Sequence, residues 1–243
     1  MRQHETVDYK NVFEHISTIL IRVLSEPASY IPNLPIGPFD SPIEDLFASA
    51  CFAHLDAKVT IEPQCEVSSK HGLFFIDFVL MNENKRIGVE CDGKDYHHFL
   101  RDELRDAILL GEGHLTTIYH FRGCDLVYHP GDCAWLMSLL DRNMFSERGK
   151  LHLAKLRTLE TDKLLGDLVR SESLRFDIAE EEHTFWALRR STQAATCFEN
   201  EPYYWKRLYQ FANQYPSTSL DVLLETLDLS RVNATASRQA TRT

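Results

Sequence analysis

The sequence predicts an α/β protein with a core running α-β-β-β-α-β, a mixed sheet flanked by helices, and an α-helical C-terminal extension. Three observations predict it. A helix opens at Ser41 with a complete N-terminal signature. Three short β-rich segments between residues 59 and 91 then follow, separated by turn formers. From Asp132 to about Leu227 almost every segment returns to helical spacing.

An apolar-periodic stretch from Val7 to Leu24 comes first, with Val12, Ile16, Ile19, Leu20 and Val23 at helical spacing. It stops before Pro27, and Pro32-Asn33-Leu34-Pro35-Ile36-Gly37-Pro38 is an irregular linker. Ser41 is the N-cap of the next helix, Pro42 suits its first position, and Glu44 stands three residues after the serine as in a capping box. Val59 to Val67, Leu73 to Leu80 and Arg86 to Cys91 are the strands, with Lys70-His71-Gly72 and Asn82-Glu83-Asn84-Lys85 closing two hairpins. Residues 99–112 form a helix and Leu115 to Phe121 a fourth strand. Helices are expected over 132–144, 148–168, 176–190, 202–214 and 218–227. The chain divides into 1–38 (N-terminal helix and linker), 39–145 (core), 146–230 (helical extension) and 231–243 (a polar, disordered tail).

A length of 243 residues with 44% hydrophobic content suffices for one large domain and excludes a disordered chain. Six cysteines lie scattered with no C-x-x-C pair, and the first residues lack an apolar signal core, which points to reduced thiols in the cytoplasm. No apolar run approaches the roughly 20 residues of a membrane span. The net charge of −10 is uneven: residues 1–147 hold 12 Lys+Arg against 23 Asp+Glu, residues 148–243 hold 14 against 13. Arg148, Lys150, Lys155 and Arg157 follow one another with no acid between them, as a phosphate-contacting patch or a solvated helix face.

The chemistry concentrates where the third strand ends, at Val89-Glu90-Cys91-Asp92-Gly93. Alternate strand residues share a face, so Glu90 and Asp92 stand about 6.5 to 7 Å apart and one hard cation is within reach of both. Asp77 is the only charged residue inside Leu73 to Leu80, and a hairpin between strands two and three carries it towards Glu90. Three carboxylates make an oxygen environment suited to Mg²⁺ or Mn²⁺ rather than Zn²⁺. Cys124 and Cys133 lack the short spacing of structural zinc sites. Trp186, Tyr203, Tyr204, Trp205 and Tyr209 are aromatic enough to stack on bases, and at helical spacing they equally suit a core or a partner interface.

The ordered series Ser41-Pro42-Ile43-Glu44-Asp45-Leu46-Phe47, Gln64, Phe75-Ile76-Asp77-Phe78, Val89-Glu90-Cys91-Asp92-Gly93, Tyr96-His97-His98, Arg101-Asp102, Arg105-Asp106 and Phe121-Arg122-Gly123-Cys124-Asp125 resembles the PD-(D/E)XK nuclease superfamily. More narrowly, it is similar to the very-short-patch-repair-like endonuclease domains described as domain of unknown function 559. The resemblance implies a restriction-endonuclease-like fold, Glu44 as the acid of the first core helix, Asp77 as the metal-binding aspartate and Glu90 as the first acid of the (D/E)-x-K element. Asp92 stands where the superfamily usually has lysine, although the narrower family commonly carries Glu-x-Asp-Gly there.

The activity implied is Mg²⁺- or Mn²⁺-dependent hydrolysis of phosphodiester bonds in DNA, with RNA as a further substrate class, in repair or in defence against foreign DNA. Glu44, Asp77, Glu90 and Asp92 are the expected metal-binding set. Lys94 reaching back, a second metal, or His97 or His98 as base would take the missing lysine's role. Arg105 and Arg122 are candidates for phosphate contacts, together with Arg148 and Lys150, while Arg105 also stands at ion-pairing distance in sequence from Asp102. The alternative is a catalytically inactive nuclease-fold module that binds nucleic acid or protein. A homodimer or a protein partner on the C-terminal helices fits either.

Overall fold

A computed structural model describes residues 37–83, 85–93, 99–158, 161, 188–193 and 205–227. The helix expected over Val7 to Leu24, most of the proline-rich linker, Trp186, Tyr203, Tyr204 and the tail lie outside the described residues. Helix α1 (Pro42–Cys51) begins where Ser41, in extended backbone, accepts the Glu44 N–H on its hydroxyl. Strands β1 (Thr60–Ser69), β2 (Gly72–Asn82) and β3 (Lys85–Asp92) follow, then helix α2 (Phe99–Gly111) and strand β4 (Thr117–Arg122). After them come α3 (Gly123–Tyr128), α4 (Pro130–Leu140), α5 (Glu147–Leu156), β5 (Leu188–Thr192), α6 (Trp205–Ala212) and a helix, α7, over 220–227.

The strands form one mixed five-stranded sheet in the order β1-β2-β3-β4-β5, antiparallel except for the parallel pair β3 and β4, which α2 connects. Each face carries its own core. Phe47, Phe52, Phe78, Leu80, Tyr119 and Phe121 pack with α4 and α5 on one side. Ile76, Val79, Leu104, Ile108, Ile118, Leu208 and Leu223 pack with α2, α6 and α7 on the other. Helix α6 crosses α2 at Gly111, where any Cβ would stand about 2.1 Å from the Tyr209 ring, so only glycine admits that crossing. Trp205 donates its indole N–H to the Thr192 carbonyl at 3.0 Å, so Trp205 and Tyr209 serve packing. No helix among the described residues is long and apolar enough to cross a membrane.

The expected core order is present from Pro42 to Arg122, and the C-terminal region departs from expectation twice. Residues 188–190, expected at the end of a helix, belong to β5, so the span 146–230 is not purely helical and completes the sheet. The helix expected over 148–168 is interrupted after Leu156, because buried Asp132 accepts the Thr158 N–H at 2.7 Å and the Thr158 hydroxyl at 3.0 Å and draws the chain aside, and Thr161 is helical again. Strand β5 is held by a buried charge network. Asp141 accepts from Tyr119 at 2.5 Å, Arg190 at 3.1 Å and Lys85 at 2.9 Å, and the Arg190 guanidinium lies over the Tyr119 ring.

Candidate carboxylate site

Regular alternation would send residues two apart to the same face. Ile76 and Phe78 nevertheless enter opposite cores, and on β1 so do Ile61 and Cys65, four apart. The cause is Gln64, whose φ of 48 breaks the ladder between the pairs Pro63 with Phe78 and Cys65 with Ile76, leaving Asp77 and Gln64 unpaired across the strands. Beyond the break the outer hairpin exposes Leu73 (49%) and Phe75 (55%). Its tip is fastened to the start of α7, with His71 Nδ1 2.9 Å from the Thr218 carbonyl. The strained residue is therefore where the hairpin turns Asp77 towards β3.

Four acids converge on the end of β3. Asp77 Oδ2 accepts the Cys91 backbone N–H at 2.7 Å. Glu44, buried on the first turn of α1, accepts the Ser41 hydroxyl at 2.6 Å on one oxygen and Gln64 Nε2 at 2.9 Å on the other. The buried Cys91 thiol is pushed up by desolvation and then by the charges of Asp77, Glu44, Glu90 and Asp92, all four acting on one sulfur. Burial raises Asp77 to about 6, against the Cys91 hydrogen bond and with help from Glu44 and Asp92. Burial likewise pushes Glu90 up to about 8, although Arg105 and His120 favour its anion.

Arg105, on α2, is the counter-charge inside this cluster. Its Nη2 lies 3.0 Å from Glu90 Oε1 and 3.6 Å from Asp106 Oδ1, so its partner is Glu90 rather than the Asp102 that helical spacing suggests. Burial works against its charge, yet Glu90 and Asp106 hold the guanidinium above its ordinary range. His120 completes the arrangement, with Nε2 2.8 Å from Asp106 and Nδ1 3.1 Å from Asp92. His120 is not singled out by the sequence patterns, and Asp106 enters them only beside Arg105, with no role of its own. The only signal is a polar residue inside each apolar run, His120 between Tyr119 and Phe121 and Asp106 beside Leu104, Ala107 and Ile108.

Of the other expected residues, the described ones, Arg122, Arg148 and Lys150, are not drawn to the acids. Lys94, His97 and His98 lie outside the described residues. Arg122 forks onto Asp125 with Nε and Nη2 at 2.9 and 3.1 Å, a bidentate pair that directs the guanidinium to that carboxylate. Arg148 is exposed and Lys150 pairs with Glu147 on the first turn of α5. That turn packs against the His54 carbonyl beyond the C-terminus of α1, where Gly149 leaves no space for a Cβ, whereas Glu44 sits at the N-terminus. A ten-residue helix, about 15 Å long, separates them.

The donor set is all carboxylate oxygen, the kind Mg²⁺ and Mn²⁺ prefer. Glu90 Oε1 is buried and accepts no hydrogen bond among the described residues, with the Arg105 charge as its neighbour. Those two observations fit a cation held by Asp77, Glu90 and Asp92. Among the described residues no group of three or more His, Cys, Asp or Glu side chains is already gathered as an ion's ligands.

A stability prediction follows from the raised groups. Because the folded-state values of Asp77 and Glu90 lie above their unfolded values, their contribution is full below about pH 4 and is lost as pH rises through about 6 and then about 8. Denaturation in EDTA should show stability falling by a few kcal/mol between pH 5 and pH 9, with Mg²⁺ restoring it at the alkaline end. Stability that is flat or rises over that window would contradict the assigned burial of these acids.

Comparison of the chain with protein-family models, with curated proteins and with solved structures finds no match.

Proposed function

We propose that this chain is a metal-dependent endonuclease of the PD-(D/E)XK type, hydrolysing phosphodiester bonds of DNA in repair or in defence against foreign DNA. The observation that carries this reading is that α1, β2 and β3 bring Glu44, Asp77, Glu90 and Asp92 to the end of β3, where Asp77 accepts the Cys91 N–H and Gln64, opposite Asp77 on β1, holds Glu44. A protein selected only for stability gains little from burying like charges together. The α-β-β-β-α-β order from α1 to β4, in a mixed sheet with β5 added at the edge, supports a restriction-endonuclease-like core. Asp77, Glu90 and Asp92 would hold Mg²⁺ or Mn²⁺, with Glu44 beside them. The bound cation would supply the Lewis acidity that activates water and stabilises charge on the phosphate. Gln64 fixes Glu44, the Cys91 N–H fixes Asp77, and Arg105 offsets part of the negative charge at Glu90. The free thiols of the described cysteines suit a reducing cytoplasm.

One observation favours a second reading, a nuclease-fold module that binds without cutting. Arg105 already neutralises Glu90, and Asp92 stands in the lysine position facing His120. Incubation of the purified protein with single-stranded, duplex and branched DNA and with RNA, in Mg²⁺ and in Mn²⁺, separates the two. The enzyme cuts at least one DNA in a reaction that EDTA stops and Asp77→Ala and Glu90→Ala abolish. Failure to cut the whole panel, or cutting that survives both substitutions, sinks the proposed active site.

A further inference from the structure

The (D/E)-x-K position is the weak point of the proposed site, and the structure puts an unexpected group against it. Register pairs Glu90 with His120 and Asp92 with Arg122 on the parallel strands β3 and β4, so Glu90, Asp92 and His120 share the face towards α2. The contacts form a line from interior to surface. Asp106 is 1% exposed, His120 3% and Asp92 20%. His120 presents Nε2 to Asp106 and Nδ1 to both Asp92 oxygens, at 3.1 and 3.3 Å. An interior histidine serving only Asp106 would need the first contact alone.

We infer that His120 is a positioning residue, anchored at Nε2 by Asp106, whose Nδ1 fixes the Asp92 carboxylate in the orientation that a divalent cation shared with Asp77 and Glu90 requires. The inference rests on the metal-dependent reading above. Hydrogen-bond partners that hold a ligating carboxylate typically contribute 10- to 100-fold in metal affinity. Here the partner is built into the sheet core, with no exposed lysine needed to steady Asp92.

Amide side chains separate the two nitrogens, since an asparagine amide nitrogen falls near the place of Nδ1 and a glutamine amide nitrogen near that of Nε2. Mn²⁺ is titrated into the full chain and free Mn²⁺ is followed by electron paramagnetic resonance, a readout independent of cleavage. His120→Gln is expected to weaken Mn²⁺ binding about 10- to 100-fold, and His120→Asn to stay within about threefold of the unchanged protein. The opposite order, Asn weak and Gln strong, assigns His120 to Asp106 alone and overturns the inference, as does equal affinity in both variants. Asp77→Ala is run in parallel. If it binds Mn²⁺ as the unchanged protein does, the metal-site reading itself fails. If it loses binding while His120→Gln keeps it, only the role of His120 fails. Should either histidine variant not fold, Mg²⁺ added to ¹⁵N-histidine-labelled unchanged protein decides. A shift of the His120 Nδ1 resonance upholds the contact with a ligating Asp92, and no shift at saturating Mg²⁺ overturns it.

Discussion

Asp77→Asn should make the metal-free protein more stable at pH 8 by about 1–2 kcal/mol while removing Mg²⁺-dependent cleavage by at least about a hundredfold. The asparagine oxygen can still accept the Cys91 N–H that Asp77 accepts at 2.7 Å. What disappears is a charge that burial, Glu44 and Asp92 all oppose, enough to raise the carboxyl to about 6. At pH 8 the aspartate is ionised in the fold at a cost, and the amide avoids that cost. At pH 5 the folded aspartate is largely protonated while the unfolded one is still ionised, so the gain should be smaller than at pH 8 and should vanish only below about pH 4. Calorimetry at the two pH values in EDTA, beside a cleavage assay on the same preparation, checks both halves. A loss of stability above about 1 kcal/mol at pH 8 would mean that Asp77 is an ordinary structural acid, well paired and unrelated to a cation. A melting temperature shift of a few degrees is the scale to expect.

Asp141→Ala should cost about 3–5 kcal/mol, the largest single loss of stability expected in this fold. Burial alone would raise this carboxyl, yet Arg190, the Tyr119 hydroxyl and Lys85 together hold it below the ordinary carboxylate range. Its contribution is therefore present at neutral pH and fades only as pH falls below the unfolded value, opposite in sign to that of Asp77 and Glu90. Removing Asp141 leaves the buried Arg190 guanidinium and Lys85 without their anion, and β5 loses its anchor. Tyr119→Phe, which removes one hydroxyl, should cost only about 1–2 kcal/mol. Denaturant titration gives the magnitudes, and hydrogen exchange should place the first loss of protection in β5. Equal costs for the two variants would show that Asp141 is not the centre of the network.

The sequence reveals most of the core because its signals are local. Ser41, Pro42 and Glu44 announce α1 through capping chemistry, and apolar strand runs broken by Gly72 and Asn82-Glu83 give β1 to β3. Strand β5 is different. Leu188-Arg189-Arg190-Ser191-Thr192 has no alternating apolar pattern, and it joins the sheet because Asp141, 49 residues earlier, neutralises Arg190. Helix α3 starts at a glycine behind an N-cap with no side-chain hydrogen bond, so it carries no start signal. In the site, Asp77 and Glu90 are legible as acids interrupting apolar strands. The positive φ of Gln64 and the contacts of His120 with Asp92 and Asp106 are not, since tertiary packing alone creates them.

The same contrast explains why Arg105 and Arg122 look like phosphate ligands in the sequence. A guanidinium suits phosphate and carboxylate alike. Glu90 and Asp125 are the carboxylates that take them.

Crystals grown with Mn²⁺ and measured for anomalous scattering test the central claim most directly. A peak is expected at the end of β3, about 2.0–2.3 Å from carboxylate oxygens of Asp77 and Glu90, with Asp92 turned to it and His120 still on Asp92. Ordered carboxylates with no peak among them, or a peak only elsewhere in the molecule, would contradict it.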